Sequence, residues 1–229
     1  IVNKSIFFFF YTTKSTYKVL YEHDCHIIST KFSWNRNLSN FLYCEYLFSF
    51  YLDLRFSSFF LQQYLKFLRS LACGGFHFYF VTQHSVSDLS LYDQISGRLR
   101  FNANSVTLKE GNWFPGTLTN WKFSKDLNPN LFLETGTSIL NVSDYPSVVV
   151  IFDTPKDNYA VSEALKLDTI SCIFADSQFN MGSRKYAEIV PLTVGFSYKK
   201  VIRLLLDLSI EAIIEGDTAL FRSFSKSKK

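Results

Sequence analysis

The clearest alternation of apolar and polar positions runs from Ser57 to Ala72. Phe60, Tyr64, Phe67, Leu68 and Leu71 share one face at helical spacing, and Gln62, Gln63, Lys66, Arg69 and Ser70 share the other. Ser57 or Ser58 is placed to cap the start of this helix, and Gly74-Gly75 to stop it. A strand is predicted next, over Phe76 to Val81. The second half of the chain is plainer. Ser147 to Phe152 and Ile170 to Ala175 are continuous apolar runs, as expected of strands buried on both faces. Between them, Asp157 to Leu167 reads as a helix with Ala160, Val161, Ala164 and Leu165 on one side. Ser197 to Ile214 reads as a long apolar helix packed on the sheet. Strands and helices alternating at this spacing predict an α/β fold with parallel strands joined by right-handed crossovers.

The rest is less regular. Ser85 to Ile95 reads as a helix and Asn102 to Leu108 as a strand. Lys109 to Tyr145 reads as loop, rich in Asn, Gly and Thr and holding Pro115 and Pro129. Residues 1–40 have weak periodicity and read as a basic N-terminal extension, with five Lys/Arg against two Asp/Glu over residues 1–37. Ala219 to Lys229 carries four basic residues and no acid, so this end is expected to be mobile or laid on an anionic surface. The organisation expected is one domain over 41–216, between the extension and a basic tail over 217–229. No internal repeat is visible.

Composition narrows the class. With 47% hydrophobic residues in 229, the chain can bury a core of ordinary size. A net charge of +4 suits an anionic partner without requiring one. The 25 Phe and 13 Tyr against 1 Met are not demanded by folding, since Leu or Val would fill most of the same space. Phe, Tyr, Lys, Asn and Ile share AT-rich codons, so a biased, organellar genome is the hypothesis; a balanced base composition in the coding DNA would remove it. Cys25, Cys44, Cys73 and Cys172 have no regular spacing, which favours a reducing compartment over a disulfide framework. The longest apolar stretch, Phe41 to Leu61, is broken by Glu45, Asp53 and Arg55, so no membrane span is expected. The chain opens on Ile1, which leaves open a removed leader or missing first residues.

Few residues offer catalytic chemistry. Asp153 and Asp176 each follow an apolar strand, where an open α/β sheet binds ligands. An Asp there equally caps the next helix or turn. Neither glycine-rich phosphate-binding pattern is present. His23-Asp24-Cys25-His26 lacks the second ligand pair of a structural zinc site and reads better as a satisfied polar turn. His84, Ser85 and Asp88 are close in sequence, which is not the geometry a nucleophile needs, and Ser85 serves as a helix cap.

Two segments carry a resemblance. Gly111-Asn112-Trp113-Phe114-Pro115-Gly116-Thr117-Leu118-Thr119-Asn120-Trp121 resembles the signature of the second small-subunit ribosomal protein family, an Arg-Trp pair followed by Gly-Gly-x-Leu-Thr-Asn. Pro146 to Leu167 resembles that family's Pro, apolar strand, Asp, then Ala-Val-x-Glu-Ala-x-x-Leu, carried here by Ala160-Val161-Ser162-Glu163-Ala164 and Leu167. Looser matches follow in order: His26, Trp34-Asn35, Leu52-Asp53-Leu54, a Gly-led strand from Gly75 to Val81, and Asp176-Ser177. Together they cover about residues 23–214. The sequence also departs from the pattern. Asn112 stands for the usual Arg, Phe114-Pro115 replaces a small pair, and only Pro191 represents a late Pro-Gly-Asn-Asp turn. Bacterial members carry a long helical hairpin between the two segments. Here 24 residues, Lys122 to Tyr145, separate them, with Pro129 and Gly136 inside.

The resemblance implies a three-layer, flavodoxin-like α/β domain, with about five mostly parallel strands, helices on both faces and a shortened helical hairpin at 122–145. It implies a structural constituent of the mitochondrial small ribosomal subunit, with no enzymatic activity, cofactor or small-molecule substrate. Its partners would be ribosomal RNA and neighbouring small-subunit proteins, not a membrane or a second copy of itself. The shortened hairpin and the aromatic bias point to a mitochondrial member. RNA contact is expected from Trp34, Asn35 and Arg36 in the extension, and from Trp113, Gly116, Thr117, Thr119, Asn120, Trp121, Lys122 and Lys125 around the signature. There Gly116 would free the backbone, Thr and Asn would offer short donors, backbone N–H groups would meet phosphate, and the tryptophans would stack on bases. The bland alternatives are an ordinary capped turn at the signature and, at Trp34, an aromatic docked on the domain with a solvated Arg36. The competing functions are an α/β enzyme holding a nucleotide or metal at Asp153 and Asp176, and a non-ribosomal protein-interaction module.

Overall fold

A computed structural model describes residues 13–30, 36–46, 49–82, 106–110, 113–121, 132–135, 146–152, 159–167, 169–175, 188–191 and 198–227. The predicted helix over Ser85 to Ile95 lies outside the described residues, as do Trp34, Asn35, Lys122, Lys125, Asp153 and Asp176.

The apolar runs form the centre of a sheet. In chain order its strands are β4 (Phe78–Thr82), β5 (Val106–Glu110), β6 (Phe132–Thr135), β7 (Val148–Ile151), β8 (Ile170–Ala175) and β9 (Glu188–Pro191). The spatial order is β6-β5-β4-β7-β8-β9. Five strands are parallel, with Phe78 opposite both Val106 and Val148, Val148 opposite Ile170, and Cys172 opposite Glu188. β6 runs antiparallel to β5 on the edge. It falls where the shortened helical hairpin and a loop are expected, so the described part of that insertion is a strand. Phe132–Thr135 is too short for a helix and extends the sheet by backbone pairing instead.

Side chains alternate across the central strands, as the pleat requires. Phe78, Phe80, Val148, Val150, Phe152, Cys172 and Phe174 point to one face. Tyr79, Val81, Val149, Ile151, Ile173 and Ala175 point to the other. The first face packs under α2 (Leu54–Ala72) and α4 (Tyr198–Ser227). The second packs under α3 (Tyr159–Lys166) and residues 113–121.

Helix α2 starts earlier than its periodicity predicts. Its cap is Asp53, whose carboxylate accepts from the Arg55 backbone N–H at 2.9 Å, and Ser57 and Ser58 lie a turn inside. The buried stripe is Leu61, Tyr64, Leu65 and Leu68, with Phe60 and Phe67 at its margins. The helix stops at Cys73, and Gly75 follows with φ +74, a conformation that favours glycine. Helix α4 also exceeds its prediction, running to Ser227 through most of the expected tail. No proline interrupts that stretch, and Gly216 lies inside the helix against α2. The contact between the two helices has polar parts: Arg69 pairs with Glu215 at 3.3 Å, and the Tyr64 hydroxyl meets Ser209 Oγ at 2.8 Å.

The segment read as an extension holds α1 (Thr13–Glu22) and β1 (Ile27–Thr30). Leu20 and Cys25 enter the main core, so residues 13–30 belong to the packed body. β1 joins β2 (Leu42–Tyr46) and β3 (Ser49–Leu52) in a small antiparallel sheet of order β1-β3-β2. These strands are too short for a periodicity signal.

Candidate functional site

Residues 113–121 follow β5 and fold over the face of the sheet that α3 covers. The turn is local: the Thr117 N–H donates to the Phe114 carbonyl at 3.1 Å, and the Asn120 N–H donates to the Gly116 carbonyl at 2.8 Å. Thr117 Oγ1 also donates to the Phe114 carbonyl, at 2.6 Å. Gly116 has φ +93, the left-handed region. Space is open where a Cβ would stand, so it is backbone conformation that selects glycine here.

The turn is tied down from α3. Glu163 Oε1 accepts from the Gly116 N–H at 2.5 Å and from Trp113 Nε1 at 3.3 Å. Oε2 accepts from the Leu118 N–H at 2.9 Å. Glu163 itself is buried. Beneath the turn, Leu118 and Trp121 pack on Tyr79 of β4; the Tyr79 and Trp121 rings meet edge to face at 5.0 Å, and Tyr79 meets Trp113 at 6.4 Å. Burial, reinforced by the Glu163 charge, holds the Tyr79 hydroxyl well above the ordinary phenol range.

The expected contact residues therefore divide. Thr117 and Trp121 are buried, Trp113 is half-buried, and the Gly116 N–H is engaged by Glu163. Thr119 and Asn120 are exposed, and so are Phe114 and Pro115. Arg36 opens a short 3-10 helix, Arg36–Phe41, in the other part of the fold. The structure thus brings together Trp113, Gly116, Thr117, Thr119, Asn120 and Trp121, and does not place Arg36 with them.

Glu163 is named in the sequence only as part of the Ala-Val-x-Glu-Ala pattern, and its role at the turn is what sequence reasoning missed. It flanks the Ala160/Ala164 stripe of α3, and a carboxylate beside a buried stripe was the available signal. What it does chemically is specific. Two backbone N–H groups and an indole N–H converge as they would on an anion, and a carboxylate of the same chain takes that place.

The His23 to His26 segment closes α1. His23 Nδ1 lies 2.9 Å from the Val19 carbonyl, Asp24 has φ 55, and the His26 ring stacks between Tyr21 and Tyr51. Cys25 is buried there, and burial, with the Asp24 charge adding, pushes its thiol up to about 12. Among the described residues no group of His, Cys, Asp and Glu is arranged to hold a metal ion, and no helix is long and apolar enough to cross a membrane.

Several aromatic side chains stand on the surface, among them Tyr43 at 68% exposure, Tyr46, Phe56 and Phe59. The comparisons with known proteins find no family model and no curated protein that matches the chain.

Proposed function

We propose that the chain is a structural constituent of the mitochondrial small ribosomal subunit, bound to ribosomal RNA and to neighbouring small-subunit proteins. The observation that carries the reading is the ordered pair of segments resembling the second small-subunit ribosomal protein family. Their described parts, residues 113–118 and α3, are neighbours in space. Glu163, from the Ala-Val-x-Glu-Ala part of the second, accepts three hydrogen bonds from the first.

The fold is read as flavodoxin-like within this proposal. Taken in chain order, the five parallel strands lie in the spatial order second, first, third, fourth, fifth, which is the doubly wound order of that class. The work of such a chain is positional. Exposed Thr119 and Asn120 are short hydrogen-bonding groups of the kind that read RNA sugar and base edges, and the exposed aromatics suit protein neighbours. On this reading there is no catalytic step and no cofactor.

Fractionation of mitochondria tests the proposal. The chain is expected to co-sediment with the small subunit and to stay there through a high-salt wash. A chain that leaves the subunit entirely in that wash is not an integral ribosomal protein, and the reading would be abandoned.

A further inference from the structure

We propose that Glu163 is a positioning residue for the RNA-facing turn, its carboxylate filling the N–H cradle of residues 113–118 so that the turn meets RNA through the side chains of Thr119 and Asn120 and not through backbone-to-phosphate bonds. The inference rests on the ribosomal reading and adds to it how the turn makes its contact.

The Gly116 and Leu118 N–H groups point the same way, inward, and converge on the two oxygens of one carboxylate. That carboxylate is buried, so an external phosphate has no access to those donors and would meet a like charge if it approached. Trp113 closes the same oxygen from the side, through its indole N–H. The residues left outward are Phe114, Pro115, Thr119 and Asn120. Their placement follows from the clamp. Gly116 at φ +93 sets the bend, and the Leu118 N–H fixes where the next turn of backbone, with Thr119 and Asn120, emerges. Glutamine cannot replace the carboxylate. Its amide keeps one acceptor oxygen and turns an N–H₂ toward donors, so one of the two backbone groups loses its partner.

The test uses the full chain. Amide hydrogen exchange is read at Gly116 and Leu118, and retention on the small subunit is read after a salt wash. In the wild-type chain both amides should exchange about tenfold or more slowly than the same amides in the unfolded chain. E163Q should speed exchange at Gly116 or Leu118 by about tenfold, as expected for loss of a charge-assisted bond, and should lower retention. A T119A/N120A double variant should lower retention while leaving those amides slow, which separates the presented face from the clamp beneath it. Unchanged exchange in E163Q overturns the inference, and so does full retention of either variant. If E163Q does not fold, the wild-type protection pattern decides: fast exchange at Gly116 and Leu118 overturns the clamp. If the wild-type chain never sediments with the small subunit, the ribosomal reading fails on its own, the RNA-facing half of the inference falls with it, and the exchange data still decide whether Glu163 holds the turn.

Discussion

Replacing Gly216 by alanine tests the packing of the two long helices most directly. Gly216 sits in α4 where a Cβ would overlap the Arg69 carbonyl oxygen of α2 and lie 2.6 Å from the Ala72 Cβ, against 3.4–4 Å for ordinary contact. Neither obstacle is the free end of a flexible side chain, so rotation cannot relieve the overlap. The helices would have to part by roughly 1 Å at this crossing, forfeiting dispersion contacts along it. Parting also stretches the Arg69–Glu215 pair at 3.3 Å and the bond from Cys73 Sγ to the Gly216 carbonyl, also 3.3 Å. Overpacking of this kind costs about 1–3 kcal/mol, and a backbone obstacle belongs at the upper end. Alanine recovers about 1 kcal/mol of helix propensity over glycine. The net expectation for G216A is a loss of about 2 kcal/mol, hence a Tm lower by roughly 4–8 °C for a chain of this size. Urea and thermal unfolding of the purified chain measure it. T218A, at an exposed position two residues on, is the control and should stay within about 0.5 kcal/mol of wild type. A G216A variant as stable as wild type would refute the close approach of α2 and α4.

Further outcomes are expected from the cap of α2 and from the cysteines. Asp53 accepts from the Arg55 backbone and guanidinium, and that bonding holds its carboxyl below the usual carboxylate range. A depressed value in the folded state means the stabilisation is complete above the unfolded value, about 3.9, and is lost as pH falls through the lower folded value. D53A should cost about 0.5–2 kcal/mol at neutral pH. D53N keeps a capping oxygen and should cost less, and its difference from wild type should vanish in acid; urea titrations at pH 7 and in strong acid decide, and a difference that persists in acid rejects the linkage. Among the cysteines, a thiol reagent at pH 8 should label exposed Cys44 first and spare buried Cys25 and Cys172 until the chain unfolds, Cys25 being held protonated to about 12. Mass spectrometry of the labelled peptides reads the order, and early labelling of Cys25 would contradict its burial beside α1.

What the sequence made legible was set by how strongly each segment is buried. Ile170 to Ala175 is read to the residue because every position but the first is buried, which leaves a continuous apolar run. Helix α2 is read in its body but not at its start, because Asp53 caps from outside the periodic stripe and two serines offered a plausible cap inside it. β6 and β9 escape because a four-residue edge strand draws its stability from backbone pairing, which leaves little trace in side-chain order. The role of Gly216 is not legible in the sequence, because it lies beyond the apolar run that marks the helix and its close approach depends on the neighbouring helix. At the turn, Gly116 is legible as a conformational requirement, whereas the inward direction of Thr117 and Trp121 is not. Trp121 packs on Tyr79, 42 residues earlier in the chain, and Glu163, which accepts from the Leu118 N–H, lies 45 residues further on.

The aromatic excess looks different once the core is assembled. Composition alone treats 25 Phe as a mark of the genome, since Leu or Val would bury comparable area. Among the described residues, part of the aromatic set forms one line. Phe80, Phe152 and Phe174 run across β4, the end of β7 and β8, stacked at 5.6 and 5.2 Å with interplanar angles of 20° and 28°. Tyr64 of α2 meets the last of them edge to face at 5.0 Å, and its hydroxyl reaches Ser209 of α4. Because Ser209 Oγ donates to the Leu205 carbonyl at 2.6 Å, Tyr64 is the donor in that bond. One line of contact therefore crosses the sheet, passes through α2 and ends in α4. Each such ring pair contributes about 0.5–1.5 kcal/mol beyond area burial. Ser209 is the small residue that Tyr64 meets in α4, while Gly216 packs on Arg69 and Ala72 of α2, so the ring line and the close helix crossing are two separate contacts of the same pair of helices.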